Sequence, residues 1–188
     1  MKFDSVSMTE IQHYFPDLKV VAGEICGEIE FFAKYVQNHR GQWVIESCKS
    51  QEGNCVYGSY KIKIAFDRFG FPSIFETGGK IESLAHKLDK KLIEFHINAD
   101  GSCCLDFFLN ISQKLTLGEF ILNKVYPFFV WQAYYAKFEV VPSIGEYSHG
   151  KEAMLEFIKD IKKLERNDLC ICGSRKKFKN CCSSRFYG

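Results

Sequence analysis

The sequence predicts an α+β fold: an antiparallel four-stranded meander with flanking helices, followed by a small cysteine-rich C-terminal knuckle. Four segments between Ile25 and Glu76 read as strands, most of them alternating apolar and polar side chains with period two. No crossover helix separates these segments, so successive strands pair antiparallel. From Leu117 to Gln132 the apolar residues instead recur at helical spacing.

The elements follow in order. Thr9 to Phe15 reads as a short amphipathic helix with Thr9 as N-cap, ended by Pro16. Ile25, Gly27, Ile29, Phe31, Ala33 and Tyr35 share one face of a half-buried strand, and Glu28, Glu30 and Lys34 share the other. Asn38 to Gly41 supplies a turn, and Trp43 to Ser47 a second strand. Tyr60, Ile62, Ile64 and Phe66 alternate with Lys61 and Lys63 in a third. Pro72 to Glu76 is an edge strand, because Pro72 has no N–H to give a central ladder. Ile81 to Ile93 has weak helical character, with Leu84, Leu88 and Leu92 spaced four apart. Thr116-Leu-Gly-Glu119 forms a capping box. It opens a helix through Leu117, Ile121, Leu122, Val125, Phe128, Phe129 and Gln132, which Pro127 should kink. Residues 136–150 read as loop and Lys151 to Leu164 as another amphipathic helix. Asn167-Asp168 marks the start of the tail, dividing a domain over 1–165 from a tail over 166–188.

The 188 residues suffice for one good core and an appendage, and 18 Phe and 9 Tyr make that core aromatic. A net charge of +2 does not point to nucleic acid or a membrane surface. No run of 18 apolar residues occurs, and Met1-Lys2-Phe3-Asp4 lacks a signal-peptide core. A soluble, cytoplasmic protein without a membrane span is expected. Of nine cysteines, four lie in the last 19 residues and two are adjacent at 103 and 104. That distribution favours metal binding or thiol chemistry over disulfides, so no structural disulfide is expected and Cys26, Cys48 and Cys55 receive no function.

The run from His96 through Asn98, Gly101, Cys103 and Cys104 to Asp106 places a polar pair ahead of a glycine turn and a thiol. Thiol chemistry on a carbonyl needs a nucleophilic sulfur and a donor for the oxyanion. The run resembles the active-site signature of ubiquitin-conjugating enzymes, in which His-x-Asn precedes Gly-x-x-Cys-Leu. Over roughly residues 10–160 the element order is similar as well. The resemblance implies a ubiquitin-conjugating-like fold in which Cys104 forms a thioester, Asn98 steadies the oxyanion and His96 shapes the loop. Glu76, Gly78-Gly79 and Ser148-His149-Gly150 look more like bacterial members of the family, which accompany a cyclic-nucleotide synthase in antiphage defence operons. The implied acyl donor is the C-terminus of such a companion, a cGAS-like nucleotidyltransferase.

Three departures stand out. Ile97 replaces the proline usual between His and Asn, the Asn98 to Cys104 gap is about two residues short of the eukaryotic pattern, and Cys103 offers a second sulfur. Cys104 is preferred because it alone keeps register with Leu105-Asp106. His96 is either the loop-shaping histidine or a satisfied structural one. Asp106 is either a helix N-terminal acid or a group near the incoming nucleophile. His149 reads as a cap or loop anchor, or else as a proton carrier.

Cys170, Cys172, Cys181 and Cys182 have the spacing Cys-x-Cys-x₈-Cys-Cys, whose four thiolates suit a closed tetrahedral structural Zn²⁺ site. Gly173-Ser174 permits the tight turn, and Lys176, Lys177 and Lys179 offset the negative charge of the thiolates. The spacing resembles the zinc-binding tail of the secretion ATPase SecA, which implies docking to a protein or a membrane surface. From Lys159 onward nine Lys or Arg stand against three Asp or Glu, but few aromatics are present to stack on bases, so nucleic-acid contact is secondary. Two functions are expected in contention: an acyl carrier acting through Cys104, and an adaptor that keeps the fold and leaves the thiol unused.

Overall fold

The computed structural model describes residues 5–39, 43–67, 72–105, 116–140, 162–168, 176–180 and 183. They fall into two compact units, one carrying the described residues up to 140 and the other those from 162 onward. The first unit is a mixed α+β body with an antiparallel sheet and flanking helices.

Helix α1 spans Ser5–Tyr14, so Thr9 is an interior residue and not the N-cap that the sequence suggests. A threonine inside a helix costs under about 1 kcal/mol relative to alanine, too little to stop it there. Its buried Ile11, with Phe15 and Leu18 beyond its end, faces the core. Strand β1 (Lys19–Val21) is wholly exposed and has no counterpart in the expected elements. It joins β2 (Glu24–Gln37) through Ala22-Gly23, whose φ values of +52° and +83° make a two-residue primed turn.

The expected inner face of β2 is realised, with Ile25, Ile29, Phe31, Ala33 and Tyr35 all buried. At Gly27 a Cβ would lie 2.1 Å from the Asp17 carbonyl oxygen, so only glycine admits the Asp17-Leu18 backbone there. Strand β3 (Trp43–Ser47) pairs with the end of β2, and β4 (Val56–Phe66) pairs with residues 25–33 of β2. Ala33 is partnered by both Ser47 and Val56, one on each edge. The sheet is therefore five-stranded with β2 inside, not a four-stranded meander, because β4 skips β3 to pair with β2. The fourteen residues of β2 make this arrangement available: β1 takes its start and β3 its end on one edge, leaving the other to β4.

The connection from β3 to β4 carries a second correction. Cys48 and Cys55 form a disulfide that closes this loop, although no disulfide was expected. The pairing follows from the sheet: Ser47 and Val56 share Ala33, which brings their neighbours together. Lys137 Nζ donates to the carbonyls of Gly53 and Cys55 at 3.3 and 2.9 Å, tying the loop to a helix.

Strand β5 (Pro72–Glu76) pairs with β4 and lies at the end of the strand order, as expected of a strand opened by proline. Helix α2 is only Lys80–Lys87, capped by the Glu76 carboxylate, which accepts from Gly78 N at 2.6 Å and Ile81 N at 3.3 Å. Leu92 does not continue it: Asp89 turns left-handed at φ +51°, and a separate 3₁₀ turn covers Leu92–Phe95.

The Thr116–Glu119 capping box forms, with Glu119 N donating to Thr116 Oγ1 at 3.2 Å and Thr116 N to Glu119 Oε2 at 2.8 Å. Helix α3 (Leu117–Phe120) passes through a π turn (Ile121–Val125) into α4 (Tyr126–Phe138). The π register comes directly ahead of Pro127, which has no N–H to continue the ordinary ladder. Helix α4 runs to Phe138, beyond the expected start of loop at 136. It packs on the sheet through Tyr60–Phe129, with ring centres 4.8 Å apart, and Tyr35–Tyr134 at 5.1 Å. Such aromatic contacts and the buried aliphatic face supply the main driving force for the body. Of the expected Lys151–Leu164 helix only residues 162–164 are described, and 162–163 are helical.

Candidate functional site

The free edge of β5 positions the thiol run. Cys103 N donates to Ile74 O at 2.7 Å, and Ser102 bridges Phe75 antiparallel, so the run adds onto the edge that proline leaves available. Within it the chain folds back as a narrow hairpin. Asn98 N donates to Ser102 O at 2.8 Å, Gly101 N to Asn98 O at 2.9 Å, and Cys104 N to His96 O at 2.7 Å. Gly101 takes φ +82°, the left-handed position that closes a three-residue hairpin turn.

Side chains lock that turn. Asp100 Oδ1 accepts from Ser102 N at 2.9 Å and from the Ser102 hydroxyl at 2.6 Å. The Ser102 oxygen in turn accepts from Asn98 Nδ2 at 3.0 Å. The Ser102 hydroxyl first, then its N–H, hold the Asp100 carboxyl below the usual carboxylate range. The Asn98 carboxamide thus has a donor committed inside the hairpin.

The two adjacent thiols have unlike surroundings. Cys103 is 7% exposed, and burial pushes its thiol up to about 12, opposed by a backbone hydrogen bond from Glu76. Its thiolate, the nucleophilic form, is scarce at neutral pH. Cys104 is only half-buried. Ser102 and Cys103, which lie against β5 through Phe75 and Ile74, are both buried, and Cys104 is the first residue past that contact.

Helix α4 seats the residues just before the hairpin. His96, at left-handed φ +58°, meets Trp131 edge-on with ring centres 4.9 Å apart. Gln132 Nε2 donates to Phe95 O at 2.7 Å, and Trp131 stacks on Tyr135 at 5.2 Å. Gln132 Oε1 and Trp131 Nε1 are buried with no hydrogen-bond partner among the described residues.

The structure therefore brings His96, Asn98 and Cys104 into one hairpin, while Asp106 lies outside the described residues. Ser102, Asp100 and Gln132 were not singled out as site residues from the sequence. The turn signature Asn98-Ala-Asp-Gly101 could have identified the first two, and a carboxamide on an apolar helical face the third.

Cys170, Cys172, Cys181 and Cys182 also lie outside the described residues, and among those described no cluster has metal-binding composition. The flanking backbone bears on whether a metal fits. Phe178 N donates to Asp168 O at 2.8 Å and Lys179 N to Arg166 O at 3.0 Å, and Phe178 is buried. These bonds join the two chain segments that lead into the two cysteine pairs. Four thiols are, by their chemistry, a donor set of the kind that holds a structural zinc ion.

Among the described residues no helix is long and apolar enough to cross a membrane. No curated protein and no solved structure matches the chain. The SEC-C motif, which is often zinc-binding, matches residues 166–184, the stretch that contains all four tail cysteines.

Proposed function

We propose that the chain is a ubiquitin-conjugating-like acyl carrier in which Cys104 receives the C-terminus of a partner protein. A cyclic-nucleotide synthase of bacterial antiphage defence, working in the cytoplasm, is the partner that the sequence resemblance suggests. The observation carrying the reading is the unequal pair on the β5 edge, a half-buried Cys104 beside a buried Cys103. In this mechanism the Cys104 thiolate attacks the carbonyl of an activated C-terminus, a sulfur–carbon bond forms and the activating group departs with its electron pair. An amine or second thiol then attacks that carbonyl and releases Cys104. His96 holds the Cys104 backbone through its carbonyl, and Asn98 supplies a carboxamide beside the reacting strand. Asp106 is assigned a place near the incoming nucleophile.

The tail over 166–188 is proposed as a separate zinc knuckle for docking the partner. Cys170, Cys172, Cys181 and Cys182 would hold a metal that supplies rigidity and no chemistry.

A second reading, an adaptor that regulates the same partner without using the thiol, draws on one observation. One of the two N–H donors of the Asn98 amide is spent on Ser102, which halves what it can offer an oxyanion. Incubation with an activated partner followed by intact-mass analysis separates the two. A thiol-sensitive adduct lost in Cys104→Ala and kept in Cys103→Ala supports the carrier. Partner binding with no adduct in any variant supports the adaptor.

A further inference from the structure

We propose that Gln132 is the positioning residue of the thiol hairpin, its buried carboxamide orienting the peptide that carries Cys104. The proposal deepens the reading of Cys104 as the reacting thiol and rests on it. Gln132 is 0% exposed within a run of buried residues from Phe128 to Ala133 on α4. A carboxamide buried there is costly unless hydrogen-bonded, and a leucine would fill similar space without that cost. Gln132 uses its amide on a distant carbonyl, donating to Phe95 O at 2.7 Å across 37 residues.

Phe95 ends the 3₁₀ turn, and the next residue, His96, is left-handed at φ +58°. A non-glycine residue persists in that conformation where its surroundings hold it. The His96 carbonyl then receives Cys104 N–H at 2.7 Å. Two hydrogen bonds in series thus connect the helix to the Cys104 backbone, with a single residue between them. Neighbouring side chains on α4 bracket the same segment: Trp131 meets His96 at 4.9 Å and Tyr135 meets Phe95 at 5.5 Å. The aromatic contacts locate the segment, and the Gln132 hydrogen bond fixes the rotation of its peptide plane. Tolerance for positional error at a reacting atom is small, which is where such a bond matters.

The test uses the full-length, zinc-loaded protein and N-ethylmaleimide, with Cys104 labelling resolved from the other thiols by peptide mass. Gln132→Leu removes the donor and keeps the volume. We expect it to melt cooperatively as the wild type does, with Cys104 labelled several-fold (roughly five-fold) faster, because the peptide is freed. Gln132→Glu provides the conservative rescue. At about pH 6 its buried carboxyl stays neutral and donates its O–H to Phe95 O, restoring the wild-type rate. At about pH 9 the carboxyl ionises, the O–H donor is lost, its charge repels the Phe95 carbonyl, and the rate rises to that of Gln132→Leu or above. Equal Cys104 rates in wild type and both variants at both pH values overturn the proposal. If Gln132→Leu fails to fold, the pH dependence of Gln132→Glu decides alone: a pH-independent ratio to wild type overturns it.

Partner-adduct formation is scored separately. A Gln132-dependent Cys104 rate without any adduct overturns the carrier reading and leaves the positioning role intact. An adduct with a Gln132-independent rate does the reverse.

Discussion

The thiol hairpin and the cysteine tail place similar side chains under opposite regimes. In the hairpin the backbone organises the thiols: Cys103 N is bonded to Ile74 O, Cys104 N to His96 O, and Gly101 closes the turn. Removing a sulfur from that frame leaves its hydrogen bonds in place. In the tail the described backbone contributes a short pairing of 166 and 168 with 178 and 179, too little to bury a core. There the thiols, through a shared metal, are proposed to organise the backbone. The contrast teaches that cysteine count alone says little, and that what holds the chain around each sulfur decides its chemistry.

Metal removal should separate the two regions most strongly. Structural zinc contributes about 10–16 kcal/mol to the folding of small sites, far more than a module of this size obtains from packing. A strong chelator in reducing buffer should release one zinc per chain and abolish amide protection over residues 166–183. Protection of the hairpin amides of Asn98, Gly101, Cys103 and Cys104 should not change. Hydrogen exchange with mass detection checks both halves, and tail protection that survives chelation would remove the contrast.

Alkali should have the next largest effect, by acting on Cys103. Folding raises this thiol from an ordinary 9.0 to about 12, so between those values the native chain keeps a proton that the unfolded chain has lost. The associated stability is complete below about pH 8.5 and is lost as pH rises toward 12, at about 1.4 kcal/mol per pH unit. Urea unfolding of wild type and Cys103→Ala across that range should show the mutant with the shallower decline.

Ser102→Ala should have the smallest effect. It removes the acceptor for Asn98 and both the hydroxyl donor to Asp100 and the lock on the turn, at about 1 kcal/mol. The Asp100 carboxyl should then move up toward its ordinary value. Because folding depresses that group, its contribution is present above about pH 4 and lost as pH falls further. The mutant should lose less stability on the acid side than wild type, which carboxyl titration by NMR and urea unfolding would both register.

Legibility in the sequence followed the size of the local signal. The inner face of β2 and the Thr116–Glu119 box were readable because alternation and capping act over a few neighbouring residues. The order of the strands was not, since Ala33 acquires two partners only when residues far apart assemble. The Cys48–Cys55 disulfide was missed for the same reason. Thr9 and the Leu84–Leu92 spacing misled because helix limits depend on competing backbone options such as the left-handed Asp89. At the site, the Cys103–Cys104 contrast depends on where the run leaves its contact with β5, a pairing that no local spacing reveals. The Gln132 bond to Phe95 joins residues 37 apart and left only an out-of-place carboxamide as its trace.

Cys104 is half-buried and Cys103 buried, so the two adjacent sulfurs should differ in reactivity. Site-resolved iodoacetamide labelling of the native chain, in buffer containing zinc at about pH 8, reads this from peptides carrying Cys103 and Cys104. Cys104 should be alkylated while Cys103 stays protected until denaturant is added. Labelling of Cys103 at a rate equal to or above that of Cys104 in the folded protein would contradict it.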